Sequence, residues 1–119
     1  VTLQSVLTEE AYKHTIALAV GFTEGEEQAI REYKLPWTVQ RLGCRAEYWF
    51  CSEPPVNGGQ AEATADDDLD KYMHLAALNR GILMTPFHNM ALIAPAATEK
   101  DIDYHTRIFR EIAAPLVSS

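Results

Sequence analysis

Residues 37–51 read Trp37-Thr38-Val39-Gln40-Arg41-Leu42-Gly43-Cys44-Arg45-Ala46-Glu47-Tyr48-Trp49-Phe50-Cys51. Both halves are rich in β-branched and aromatic residues, which suit a pleated, half-buried surface. Gly43-Cys44 lies between them as the turn or bulge, so the spacing predicts a β-hairpin with strands over 37–42 and 45–51. Alternation puts Ala46, Tyr48 and Phe50 on one face and Glu47, Trp49 and Cys51 on the other.

Upstream of the hairpin, residues 8–33 read as one long helix. Thr8 is its expected N-cap, with Glu9 and Glu10 in the first turn, where carboxylates suit the helix dipole. Tyr12, Ile16, Ala19, Val20, Ala29, Ile30 and Tyr33 recur at helical spacing and mark the expected buried stripe. Gly21 and Gly25 lower helix propensity and allow close packing against another element. Lys34-Leu35-Pro36 ends the helix, because Pro36 disfavours helical geometry before it.

Downstream, Pro54-Pro55 and Asn57-Gly58-Gly59 predict an irregular loop over 52–65, a surface excursion or a segment flanking a site. Asp66-Asp67-Asp68 opens a helix over 67–79 as cap and first turn. Leu69, Met73, Ala76 and Ala77 form its stripe, and Gly81 suits the left-handed position after it. Short strands are expected over 82–85 and 90–94, separated by Pro86 and a tight Phe87-His88-Asn89 loop. Thr98-Glu99-Lys100-Asp101 resembles a capping box. It starts a last helix over 99–117 with the stripe Ile102, Phe109, Ile112, Ala113 and Leu116. Helix, two strands, helix, two strands and helix with short connections predict an α+β two-layer sandwich, its mainly antiparallel sheet covered by helices on one face. The chain opens at Val1, within a segment that reads as the end of a helix. A domain of a longer polypeptide is the expectation, and a processed N-terminus the alternative.

The 119 residues carry 10 Lys+Arg against 17 Asp+Glu, a formal net charge of −7. That balance argues against a nucleic-acid partner and against adhesion to anionic membranes. No apolar run reaches the roughly 20 residues of a membrane span. Cys44 and Cys51 read as reduced, partly buried thiols of a cytoplasmic protein, since two cysteines make no disulfide scaffold and no Cys/His set at ligand spacing suggests zinc. The consecutive aspartates do not converge on one metal ion.

Few residues carry obvious chemistry. His14 and His74 lie mid-helix as surface or packing residues, and His105 is placed near Asp101 as a surface ion pair. His88 differs: it sits in a break between two strands, where a histidine can donate a hydrogen bond or exchange a proton. Lys13, Lys34, Lys71 and Lys100 fall on helix faces or ends, so no lysine has a context for covalent catalysis. From these residues alone, part of an enzyme and a stand-alone small-molecule-binding or regulatory domain fit equally well. An interaction module using the exposed face around Trp49 is a third reading.

A resemblance separates them. Leu78-Asn79-Arg80-Gly81-Ile82-Leu83-Met84-Thr85-Pro86 and Ala94-Pro95-Ala96-Ala97-Thr98-Glu99-Lys100-Asp101-Ile102-Asp103 resemble the C-terminal segment of class III pyridoxal-phosphate-dependent aminotransferases. Leu7-Thr8-Glu9-Glu10-Ala11-Tyr12 and Leu35-Pro36-Trp37-Thr38-Val39-Gln40-Arg41-Leu42-Gly43 fit as well, so the resemblance covers residues 7–116. Within the family the chain is most similar to the glutamate-1-semialdehyde 2,1-aminomutases. The resemblance implies the small C-terminal domain of a fold-type I enzyme. The cofactor, its lysine and the aspartate facing the pyridine nitrogen would belong to a large domain upstream. The small domain would shape and close the substrate pocket of a homodimer acting on a small amino or keto substrate. Alone it would bind no pyridoxal phosphate and catalyse nothing. The family's site-facing loop corresponds to Phe87, His88, Asn89 and Met90, the expected substrate-binding residues. The aminomutases have a Phe-Glu-Ala-Gly type of sequence there, and this chain does not. Leu92 stands where ornithine- and aminobutyrate-type members place a carboxylate-binding arginine, which disfavours that subclass. Arg41 and Arg45 beside the turn are weaker candidates.

Overall fold

The computed structural model describes residues 1–85 and 88–117. In chain order the elements are α1 (Thr2–Ser5), α2 (Glu9–Tyr33), β1 (Thr38–Leu42), β2 (Arg45–Trp49), α3 (Gly58–Ala63), α4 (Asp67–Leu78), β3 (Met90–Leu92) and α5 (Glu99–Ala113), followed by a 3-10 turn, Ala114–Leu116. The sheet has order β1-β2-β3 and both pairings are antiparallel. This is the α+β arrangement expected from the sequence.

The hairpin forms because a two-residue loop suits its ends. Leu42 pairs with Arg45, and Gly43 has φ 60 at the first loop position, as the hairpin turn with glycine leading requires. Arg41 Nη1 donates to the Gly43 carbonyl at 3.0 Å.

Each long helix is fixed at its ends. Thr8 accepts from the Ala11 N–H, Asp66 from Leu69, and Thr98 from Asp101. Thr98 and Asp101 complete the capping box reciprocally, and those hydrogen bonds lower the Asp101 pKa. Helix α2 stops at Lys34, whose φ is 54; the Leu35 N–H then reaches back to the Ile30 carbonyl. The same closure ends α4, where Gly81 has φ 81 and the Ile82 N–H donates to Ala77.

Helices α2 and α5 lie side by side on the face of the sheet that carries Ala46 and Tyr48. One core cluster joins Ile30, Trp37, Tyr48, Met73, Phe109 and Ile112. Trp37 stacks on Tyr48 at 5.8 Å, and Phe109 meets Tyr48 edge-on at 5.4 Å. A second cluster joins Leu18, Phe22, Ala46 and Ile102.

Several details depart from expectation. The buried face of α2 is Thr15, Leu18, Ala19, Phe22, Thr23, Glu26, Ala29 and Ile30. Tyr12 and Ile16 are instead exposed, because their i,i+4 row lies on a different side of the helix. Residues 52–65 are not wholly irregular. Asn57 caps α3 by accepting from Gln60 N–H, while the Gln60 side chain accepts from Val56 N–H, and this reciprocal pair overrides the helix-weakening glycines. Residues 82–85 form no strand; they pair with no ladder and Leu83 is 80% exposed. Strand β3 ends at Leu92, two residues early, and α5 gives way to the 3-10 turn at Ala114. Ile108 joins the buried stripe of α5.

Gly25 explains how α2 and α5 come so close. A Cβ there would collide with Oγ1 of Thr106, lie 2.9 Å from its Cγ2, and come within 3.2 Å of its Cβ. Because both branches of Thr106 are in the way, rotating χ1 does not clear the space. Gly25→Ala gains about 1 kcal/mol of helix propensity but incurs overpacking of about 1–3 kcal/mol. The expected net result is a loss of up to about 2 kcal/mol in urea unfolding, mostly recovered by adding Thr106→Ala. A single variant more stable than the parent by the full propensity gain would show that this contact does not limit the helix spacing.

Candidate functional site

The outward face of β2 carries Arg45, Glu47 and Trp49, as alternation requires. Glu47 is nevertheless only 5% exposed. The segment at 88–90 runs beside it: Glu47 is paired with Met90, and the Tyr48 N–H donates to the Asn89 carbonyl at 3.1 Å. Both carboxylate oxygens of Glu47 are engaged. Oε2 accepts from Arg45 Nη2 at 2.7 Å, and Oε1 lies 3.2 Å from His88 Nδ1. Burial of a carboxylate is tolerable on these terms, with a cationic donor at one oxygen and an imidazole at the other.

Helix α4 holds the same segment from the other side. His74 Nε2 lies 3.2 Å from Asn89 Oδ1 and 3.7 Å from Asp70 Oδ1, one helical turn back. The His88 N–H donates to the Thr85 carbonyl at 3.2 Å. His88 and Asn89 are thus anchored from β2 and from α4. They border a cavity of about 300 Å³ walled by Trp49, Phe50 and the start of α4. Five carboxylates line it, Glu47, Glu62, Asp66, Asp67 and Asp70, and no Lys or Arg does so among the described residues. Such a cavity attracts cationic groups and repels phosphate and carboxylate. It therefore does not suit a phosphate-bearing cofactor. Among the described residues no three His, Cys, Asp or Glu side chains are grouped to hold a metal ion.

Of the loop residues expected to meet substrate, His88 and Asn89 line the cavity, and Phe87 lies outside the described residues. Met90 begins β3 half-buried and does not line it. Arg41 serves the hairpin turn, while Arg45 reaches the site only through Glu47. Leu92 is exposed on the edge strand. The two cysteines are free and half-buried, and the four lysines are exposed. His14 is exposed and bonds the Ala97 carbonyl. Sequence reading missed Glu47, which looks like an ordinary outward strand residue, and the link from α4 to Asn89. The spacing of Asp70 and His74, one turn apart, was the available signal for the second.

His105 is not the surface ion pair expected with Asp101. Its side chain is 13% exposed, its ring lies 4.2 Å from that of Phe22, and its Nε2 is 4.0 Å from Oε1 of the fully buried Glu26. Burial lowers the His105 pKa to about 4 and raises that of Glu26 well above the usual carboxylate value. Both Glu26 oxygens and His105 Nδ1 are buried without a hydrogen-bond partner. Burial likewise pushes the Tyr48 hydroxyl up.

Comparison with known proteins places this geometry. No family model matches the chain. It is 32% identical over 99 residues to glutamate-1-semialdehyde 2,1-aminomutase 2 of Geobacillus thermodenitrificans, covering 82% of this chain and 23% of that protein. A glutamate-1-semialdehyde-aminomutase from Pseudomonas aeruginosa PAO1, solved in complex with PMP, is 42% identical and superposes with a TM-score of 0.94. That match covers 97% of this chain and 25% of the other. An omega-transaminase from Sphaerobacter thermophilus shares the fold, with a TM-score of 0.75 at 18% identity over 95% of this chain. The chain spans about a quarter of the length of these relatives.

The buried pair sets a pH dependence of known sign. The native state keeps His105 neutral, whereas the unfolded chain protonates near the ordinary value of 6.5. Stability from this residue is present above pH 6.5 and is lost as the pH falls from 6.5 towards about 4. The raised Glu26 pKa acts oppositely, reducing stability as the pH rises above 4.5. Replacing His105 by Gln is expected to remove the first contribution alone, so the urea midpoint of the variant should fall less than the parent's between pH 6.5 and 4. Parallel curves would refute the assignment.

Proposed function

Because the chain matches the C-terminal regions of glutamate-1-semialdehyde aminomutases and aminotransferases, we propose that it works as the small domain of a pyridoxal-phosphate-dependent, class III enzyme of the aminomutase type. The observation that carries this reading is 42% identity, with a TM-score of 0.94, across 97% of the chain. The 18% identical transaminase adds support for the fold only.

When bound, pyridoxal phosphate supplies the electron sink for proton transfer at the carbon bearing the amino group. The cavity beside His88 and Asn89 does not suit that cofactor, since it is acidic and no lysine lines it among the described residues. The seat of the cofactor is therefore assigned to the rest of the polypeptide. What this domain contributes is the wall facing the substrate. His88 and Asn89, held from two sides, border the pocket. Carboxylates at the start of α4 favour the ammonium group of an amino substrate. Trp49 and Phe50 provide apolar surface that excludes water. The enzyme's own large domain and a second subunit complete the assembly, a homodimer. The free cysteines accord with a cytoplasmic location; among the described residues, no helix is long and apolar enough to cross a membrane.

The natural polypeptide in its source cell is expected to have a mass several times the 13.3 kDa of this chain. Purified intact, it should show the visible absorbance of enzyme-bound pyridoxal phosphate and interconvert amino and keto substrates. A natural product of 13.3 kDa would instead favour a stand-alone binding or regulatory domain and overturn the enzyme reading.

A further inference from the structure

Glu47 is more closely engaged than an outward residue on a small sheet requires. Its backbone is fixed on both sides, opposite Gln40 in the middle of the β1–β2 ladder and opposite Met90 at the end of the β2–β3 ladder. Its side chain is 7% exposed, and its two oxygens have separate duties, one on Arg45 and one on His88. With Arg45 at 2.7 Å holding Oε2, the carboxylate cannot swing away without breaking a charge-assisted hydrogen bond. Oε1 is left facing Nδ1 of His88 at 3.2 Å. Two lone pairs at that distance repel, whereas a hydrogen on Nδ1 is attracted. The carboxylate therefore selects the imidazole form bearing Nδ1–H, as a carboxylate does for the histidine of a hydrolytic triad.

We propose that Glu47 is a positioning residue, holding His88 with its hydrogen on Nδ1 so that Nε2 is left as an acceptor toward the cavity for the amino group of the substrate. The inference rests on the reading of His88 as a substrate-facing residue. The surroundings agree with a donor at Nε2: the cavity wall is acidic, and a protonated amine is both a donor and a cation. The Asn89 side chain is held separately by His74, so the two loop side chains are oriented by different elements, that of His88 from β2 and that of Asn89 from α4. Arg45 acts at one remove, by keeping Glu47 in place.

The test uses the full-length, cofactor-loaded polypeptide with glutamate-1-semialdehyde as the probe substrate. Glu47→Gln and His88→Gln are each expected to lower kcat about 10- to 100-fold, the range for residues that orient a histidine. The double variant should be no worse than His88→Gln alone, because Glu47 acts only through the imidazole. Glu47→Asp, which keeps the carboxylate, should recover part of the loss. Wild-type turnover in Glu47→Gln alongside an impaired His88→Gln, or additive losses in the double variant, would overturn the role of Glu47 while sparing the site. Wild-type turnover in His88→Gln would overturn both. A second measurement needs no turnover: imidazole ¹⁵N shifts should show neutral His88 protonated at Nδ1, and Glu47→Gln should weaken that preference. Neutral His88 protonated at Nε2 would refute the proposal.

Discussion

Gly25 against Thr106 is the contact on which the rest of the arrangement depends. A sheet of three strands has a narrow face, and two long helices must share it if the aromatic core is to be covered. Side chains of ordinary size at the crossing would hold α2 and α5 apart. The core beneath would then lose contact at Phe109 and Tyr48, where edge-on packing depends on separation. With no side chain on α2 at that point, α5 settles close enough for Leu18, Phe22 and Ile102 to form the second cluster.

The same closeness accounts for the two least comfortable groups in the molecule. Glu26 follows Gly25, and His105 precedes Thr106, so both lie at the tightest part of the crossing. Water that would have solvated them is displaced by Phe22 and Phe109, whose rings lie 4.2 Å and 6.1 Å from that of His105. A carboxyl and an imidazole at 4.0 Å, each shifted toward its neutral form, are the outcome. The pair stabilises poorly for its position. Its polar atoms lack partners, and an apolar pair of similar volume would pack there at lower cost.

What could be read in advance followed local chemistry. The caps at Thr8, Asp66 and Thr98, the turn at Gly43 and the stop at Lys34 are each written in a few adjacent residues, and each is present. The burial of α2 was less legible, because the apolar row through Tyr12 and Ile16 competes with the row through Leu18 and Phe22. Only the position of α5 decides between them. Glu26 on the buried row runs against any hydrophobic pattern, so no periodicity could have found it. The α3 turn was hidden for another reason. Glycines and prolines dominate the reading of residues 52–65, whereas the decisive bonds run from Asn57 and Gln60 side chains to backbone. At the candidate site, the loop was visible but its anchors were not. Glu47 and His88 are 41 positions apart, and their meeting depends on the register of β2 with β3.

That register also explains why Glu47 and His88 meet on the sheet face away from α2 and α5. Strand β2 is central, so its inward residues are committed to the core and its outward ones are free of packing duties. An outward carboxylate would ordinarily be solvated. Here β3 and the turn before it lie alongside, and burial of Glu47 is the price of bringing His88 onto the sheet. Arg45 offsets that burial from the same strand, two residues away and so on the same face. The period of a β-strand thus places the carboxylate and its cation together, while pairing with the next strand delivers the imidazole. A one-residue slip of β3 would move Met90 off Glu47 and turn its side chain to the other face, taking the imidazole away from its carboxylate. The site is therefore built into the sheet's pairing, and the turn at residues 88–89 is positioned by the same ladder that holds the core together.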